Sequence, residues 1–228
     1  MTKINVDDSG IDDTSKEKAD NISSDELKDI SEYDKLYEQG IGKSVDDNVY
    51  MPQDDTYLLC DAVDEFAKGK VLEIGCGSGF ISCECAKNGL DVTCVDINPY
   101  AVEETKRLAS QEGVKINCFV SDLFENVLDE YDTIIFNPPY LPEDETEPND
   151  LVKIATTGGM QGHEVISAFF DEVLNFLKND GQILILFSSL TDKKKIDEMI
   201  HLYGYKKELV REKAFFFETL YVYRLTRL

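Results

Sequence analysis

From Asn48 to the C-terminus, short apolar runs alternate with amphipathic ones, and this alternation restricts the fold more than any other feature. Residues 55–69 repeat apolar side chains at helical spacing, and KVLEIGCGSG (70–79) is a short strand entering a glycine turn. FISCECAKNG (80–89) reads as a helix and DVTCVDIN (91–98) as a second strand. Pro99 opens a helix to about Gln111, at the first-turn position that proline favours. VKINCFVSDLF (114–124) and YDTIIFNPPY (131–140) are the third and fourth strands. A long helix over 162–181 with a glycine stop, a fifth strand over 181–189 and a helix over 191–203 follow. YKKELVREK and FETLYVYRL close the chain as an antiparallel pair. Strands separated by helices predict an α/β fold with a mostly parallel seven-stranded sheet, a C-terminal antiparallel pair and helices on both faces.

The first 47 residues read differently. Residues 1–23 are rich in Asp, Lys and Ser and cannot bury enough apolar surface to offset ordering entropy, so a disordered tail is expected. SSDELKDISEYDKLYEQG (23–40) predicts a short helix, with Ser24 as N-cap and Gly40 as stop. The domain plan is thus an acidic N-terminal extension, 1–47, and an α/β domain, 48–228. The formal net charge of −23 argues against a bare phosphate backbone as partner, since that affinity comes from Lys and Arg. No segment is long and apolar enough to cross a bilayer and no signal-peptide core is visible, so a cytoplasmic protein is expected. Six cysteines (60, 76, 83, 85, 94, 118) form no C-x-x-C pair; reduced, buried thiols are expected rather than a zinc site.

In the glycine turn, E-I-G-C-G-S-G, Gly75, Gly77 and Gly79 let the backbone turn tightly and approach a ligand. Tight strand–helix packing alone explains many such turns. Position adds weight, because ligands of doubly wound folds bind after the first strand. About twenty residues on, Asp96 ends the second strand, where an acid can accept from both ribose hydroxyls. NAD and S-adenosylmethionine both fit these features. The spacing G-x-G-x-G, rather than G-x-G-x-x-G, and the carboxylate of Glu73 favour S-adenosylmethionine, whose cationic methionine end Glu73 can help hold. Asp122 is then placed to accept from the adenine amino group and Leu123 to offer its backbone N–H, unless Asp122 is simply a helix N-cap.

The fourth strand ends in Asn137-Pro138-Pro139-Tyr140. An amide nitrogen is a poor nucleophile, because its lone pair is delocalised into the carbonyl. Acceptors that grip its N–H bonds and aim it at a methyl group catalyse by positioning and electrostatics. Asn137 supplies a side-chain oxygen and Pro138 a backbone carbonyl. Proline pushes the preceding residue to extended geometry, so Pro138 aims Asn137; Pro139 removes a further competing donor. Tyr140 can pack flat on a planar substrate group. A proline-rich turn leaving a strand is the plain alternative.

EIGCGSG, VDIN, SDL and NPPY, in this order, resemble the class I, Rossmann-like S-adenosylmethionine-dependent methyltransferases; NPPY resembles those acting on planar amino or amide nitrogen. NVYMPQDDTYLL (48–59), GGMQGHEVISAFF (158–170) and ETLYVYRL resemble segments of the archaeal and eukaryotic HemK-type release-factor glutamine methyltransferases. Gln53 stands where that pattern has Glu, and Thr56 matches a position that contacts the cofactor. The resemblance covers about residues 48–228. It implies methylation of the glutamine in the Gly-Gly-Gln loop of a class I release factor. Catalysis would rest on Asn137, Pro138, Pro139 and Tyr140, and cofactor binding on Thr56, Glu73, Gly75, Gly77, Asp96, Asp122, Leu123 and Asn137. It also implies a small zinc-binding activating subunit docked on an edge strand, here 114–120, with Val114, Ile116, Cys118 and Val120 on one side.

The acidic segment PEDETEP (142–148) reads as a solvated lid or as a steering patch for a basic substrate. His163, His201 and Lys193–Lys195 read as structural or surface groups. An N6-adenine or N2-guanine methyltransferase of DNA or RNA is the nearest rival, since NPPY serves it equally; a non-catalytic binding scaffold and an NAD oxidoreductase are more distant.

Overall fold

The computed structural model describes residues 49–140 and 163–228. The tail and helix expected within 1–47, the acidic segment 142–148 and the start of GGMQGHEV lie outside the described residues. Seven strands form one sheet of order β3-β2-β1-β4-β5-β7-β6. They are β1 (Lys70–Ile74), β2 (Asp91–Asp96), β3 (Asn117–Val120), β4 (Tyr131–Phe136), β5 (Leu177–Ser188), β6 (Tyr205–Ala214) and β7 (Thr219–Arg227). The first five are parallel; β7 runs antiparallel to both β5 and β6. The helices are α1 (Asp54–Phe66), α2 (Phe80–Lys87), α3 (Pro99–Glu112), α4 (Glu164–Glu172) and α5 (Lys193–Leu202).

Alternate side chains of the central strands enter two separate cores. Leu72, Ile74, Ile134, Phe136, Ile183 and Ile185 pack with Phe169 and Phe170 of α4 and Ile196 and Ile200 of α5. Val71, Val92, Ile135, Leu184 and Leu186 face the other way, onto Leu58, Leu59 and Val63 of α1 and Ile81 and Cys85 of α2. Burial on both faces is why these strands read as continuous apolar runs.

Two expected boundaries were wrong. The helix of 162–181 ends early: α4 stops at Glu172, one 3-10 turn (Val173–Asn175) follows, and β5 begins at Leu177. Tyr131 donates its N–H to the Phe176 carbonyl, so pairing with β4 captures residues whose spacing reads as helical. Gly181 therefore stops no helix. It lies inside β5, where a Cβ would fall 2.7 Å from Leu177. The third strand is also shorter than 114–124. Gly113 is left-handed and Val114 bonds back to Ala109, so Val114 belongs to the end of α3. At the other end Ser121 turns away, and Leu123 has φ +42°, outside any strand.

Strand order reverses between β1 and β4, the crevice where open α/β sheets bind ligands. Ile74 pairs with Phe136 and also with Val95, and Asp96 with Val120. Gly75, Asp96, Ser121 and Asn137 consequently leave the sheet at one level.

Candidate active site

The glycine turn is built around backbone bonds. Gly75 and Cys76 both donate to the Val95 carbonyl, at 2.8 and 3.1 Å. Gly75, Gly77 and Gly79 have φ of +69°, +51° and +80°, a region that costs a Cβ-bearing residue about 1–2 kcal/mol. They serve different ends. A Cβ on Gly79 would lie 2.7 Å from Thr105, so this glycine permits the approach of α3. A Cβ on Gly75 would meet nothing within 4 Å. Gly75 thus faces open space at the mouth of the crevice, as a ligand cradle requires.

Asp96 stands beside it. One carboxylate oxygen accepts from the Gly77 N–H and the other from the Asn98 N–H, both at 2.9 Å. A carboxylate has about four acceptor positions, so each oxygen can still take a hydroxyl. Burial, seconded by Cys76, pushes Asp96 up to about 7 against the pull of those two amides. Glu73 is buried and accepts from the Ser82 hydroxyl. Burial holds its carboxyl well above the usual range, and a cation placed beside it would favour the ionised form. Asp122 is exposed and begins a turn rather than a helix, so it caps none. Leu123 next to it has the one positive φ of a non-glycine residue among the described residues. Strain of this kind costs about 1–3 kcal/mol and clusters at ligand clamps.

Asn137 is organised by a residue absent from the sequence-based set. Asp55, 4% exposed, sits in the first turn of α1. Its Oδ2 accepts from Asn137 Nδ2 and from the Tyr50 hydroxyl, each at 3.0 Å, and from the Tyr140 hydroxyl at 3.4 Å. Its Oδ1 accepts from the Thr56 N–H at 2.6 Å and the Thr56 hydroxyl at 3.2 Å. An ionised carboxylate can only accept, so it fixes which end of the Asn137 amide faces it. The other end, Oδ1, is buried with no hydrogen-bond partner among the described residues. A buried acceptor left unpaired costs about 1–3 kcal/mol, which a ligand N–H would recover.

Thr56 is buried. Its hydroxyl is engaged by Asp55 and by the Gln53 N–H in a capping box. Pro138 is buried and Pro139 half-buried. Thr191 donates to the Tyr140 carbonyl at 3.1 Å, tying the NPPY turn to the end of β5. Burial first, then Asp55 and Glu218, raise the Tyr140 phenol, so it stays protonated and donates. Asp55 was readable only as one acid in QDDT, since two of its partners, Asn137 and Tyr140, are 82 and 85 positions away. Cys76, Cys94 and Cys118 also converge, with Sγ atoms within 4.8 Å and no fourth metal-ligating residue among the described residues. All six cysteines are free and buried.

A doubly wound sheet with a glycine turn and an amide at its switch point defines a class I methyltransferase. The model of the methyltransferase small domain family matches residues 52–217. A relative from Methanocaldococcus jannaschii, provisionally named a protein N5-glutamine methyltransferase, is 42% identical, over 83% of this chain and 98% of its own. Human methyltransferase HEMK2 is 30% identical, over 82% of this chain and 94% of its own. The chain belongs to this methyltransferase family, in its HemK-type branch. Among solved structures, the E. cuniculi Mtq2–Trm112 complex, which methylates the termination factor eRF1, matches with a TM-score of 0.64 and 26% identity. That match covers 79% of this chain and 99% of Mtq2.

Proposed function

We propose that this protein transfers a methyl group from S-adenosylmethionine to the side-chain amide nitrogen of the glutamine in the Gly-Gly-Gln loop of a class I release factor. The observation that carries it is the buried Oδ1 of Asn137, unpartnered among the described residues, whose Nδ2 is held by Asp55. Such an acceptor suits the N–H of a planar amide or amino group and offers nothing to a carboxylate, which has no hydrogen to donate.

S-adenosylmethionine supplies the electrophilic methyl group. The open space at Gly75, the ribose-facing carboxylate of Asp96 and the buried Glu73 suit its ribose and its cationic methionine end. Asp122 and Leu123 suit its adenine. Asn137 Oδ1 and the Pro138 carbonyl hold the two N–H bonds of the substrate amide and aim its nitrogen. The N–H bonds of a nitrogen taking the methyl group, as the sulfonium S–C bond breaks and the thioether leaves, would acidify, and Asn137 Oδ1 and the Pro138 carbonyl would carry the developing charge. The proton leaves to solvent; no strong base is needed. Tyr140, held by Asp55 and Thr191, lines the substrate plane.

β3 lies at the sheet edge, as expected, though with only four residues. Its outer backbone edge, unpaired among the described residues, suits strand addition by a small zinc-binding activating subunit. The test is label transfer from methyl-labelled S-adenosylmethionine, with that subunit co-expressed. Acceptors are an intact class I release factor, the factor with its loop glutamine changed to alanine, and mixed DNA and RNA. Labelling of the intact factor alone is expected. Labelling of nucleic acid instead would overturn the choice of substrate.

A further inference from the structure

The β6–β7 hairpin ends in a tip that the fold does not explain. Phe215 donates its N–H to the Glu218 carbonyl at 2.7 Å, leaving Phe216 and Phe217 as a two-residue loop. Such loops favour Gly, Asn and Asp, which reach the required backbone geometry cheaply. Here two phenylalanines stand 91% and 86% exposed, their rings edge to face at 4.6 Å. Phe215 and Leu190 add half-exposed apolar surface nearby in the chain fold. Nothing among the described residues covers the pair.

The tip is joined to the active-site rim from three directions. Glu218 accepts from the Ser188 hydroxyl at 2.7 Å, at the end of β5. Lys213 at the end of β6 bonds Asp54 at 2.7 Å, the residue before Asp55. Thr191, three residues past Ser188, holds the Tyr140 carbonyl. The hairpin therefore projects from the same rim that presents Asn137.

We propose that Phe216 and Phe217 form an apolar anchor for the protein substrate, gripping an apolar patch beside the loop that carries the target glutamine. This rests on the protein-amide reading above. Three observations select that occupant. The aromatic pair is continuous with the site through the bonds just named. Exposed paired aromatics are the residue type that dominates binding energy at protein interfaces. The net charge of −23, with Glu218 on the same rim, disfavours a nucleic-acid backbone.

The experiment compares wild-type enzyme with the double variant Phe216→Ser/Phe217→Ser, both with the activating subunit. Substrates are the intact release factor and a short peptide centred on its glutamine. KM for the intact factor is expected to rise about tenfold or more, with kcat, donor Kd and peptide kcat/KM unchanged. An unchanged KM for the factor, with active wild type, would overturn the anchor alone. Equal losses on factor and peptide with a lowered Tm would overturn it in favour of a purely structural role for the tip. A wild-type dimer in sedimentation that the variant abolishes would reassign the tip to self-association. If wild type neither labels nor binds the factor, the substrate reading falls and takes the anchor's occupant with it.

Discussion

Asn137 Nδ2 donates to Asp55 Oδ2 at 3.0 Å, across 82 positions of sequence. One carboxylate thereby joins the first turn of α1 to the end of β4 and fixes the orientation of the amide. Its second oxygen is committed to Thr56. Both oxygens act as acceptors, and only a carboxylate can do that.

Asp55→Asn tests this division. The new amide has one accepting end, so a donor faces either Thr56 or Asn137. Losing a charge-assisted hydrogen bond of about 1.5–3 kcal/mol predicts a kcat lower by about ten- to a hundredfold. Single-turnover methyl transfer should show this fall while calorimetric donor Kd moves little. A kcat within twofold of wild type would show that Asn137 orients without Asp55.

Asn137→Ala and Asp96→Ala should fail at different steps. The first removes the acceptor for the substrate N–H and should abolish turnover with donor affinity nearly intact. The second should raise donor Kd about tenfold or more, as hydrogen bonds to a charged acceptor are lost. Loss at the same step in both variants would refute the assignment of roles.

Asp96 makes donor binding pH-dependent. Its carboxyl is raised from 3.8 to about 7, so the folded protein holds a proton that the unfolded chain has released. Its effect on stability therefore favours folding at low pH and is lost as pH rises from about 4 through 7. Donor affinity should run the opposite way, since ribose hydroxyls need the ionised acceptor. Kd is expected to fall as pH rises from 6 to 8, and Asp96→Asn to flatten both profiles. A wild-type Kd without a slope near pH 7 would contradict this.

The two glycines predict opposite patterns. Gly79→Ala places a Cβ 2.7 Å from Thr105 at φ +80°, and should lower Tm by several degrees. Gly75→Ala meets no neighbour, so only the left-handed cost of about 1–2 kcal/mol applies. Its methyl group instead occupies the cradle, and donor Kd should rise more than for Gly79→Ala. Thermal melts with and without donor separate the cases; equal donor binding by Gly75→Ala and wild type would place the cradle elsewhere.

Much of this protein is written locally. The apolar runs of β1, β2 and β4, Pro99 at the start of α3 and the left-handed glycines after β1 follow from residue chemistry within one element. The sequence also indicated an edge position for β3 and the candidate roles of Asp96 and Asn137. Boundaries were lost where distant pairing outweighed local spacing. Leu177 joined a strand because Tyr131 was beside it, although the preceding residues repeat as a helix. The site was incomplete for the same reason. Spacing identifies Asn137 as an acceptor but cannot reveal that Asn137, Tyr50 and Tyr140 close around one carboxylate oxygen of Asp55. Nor can it show that the Phe216–Phe217 tip leaves the rim of the same crevice. Local sequence sets propensities and which residues could react. Burial and long-range hydrogen bonds, which exist only once the sheet has assembled, decide which of them meet.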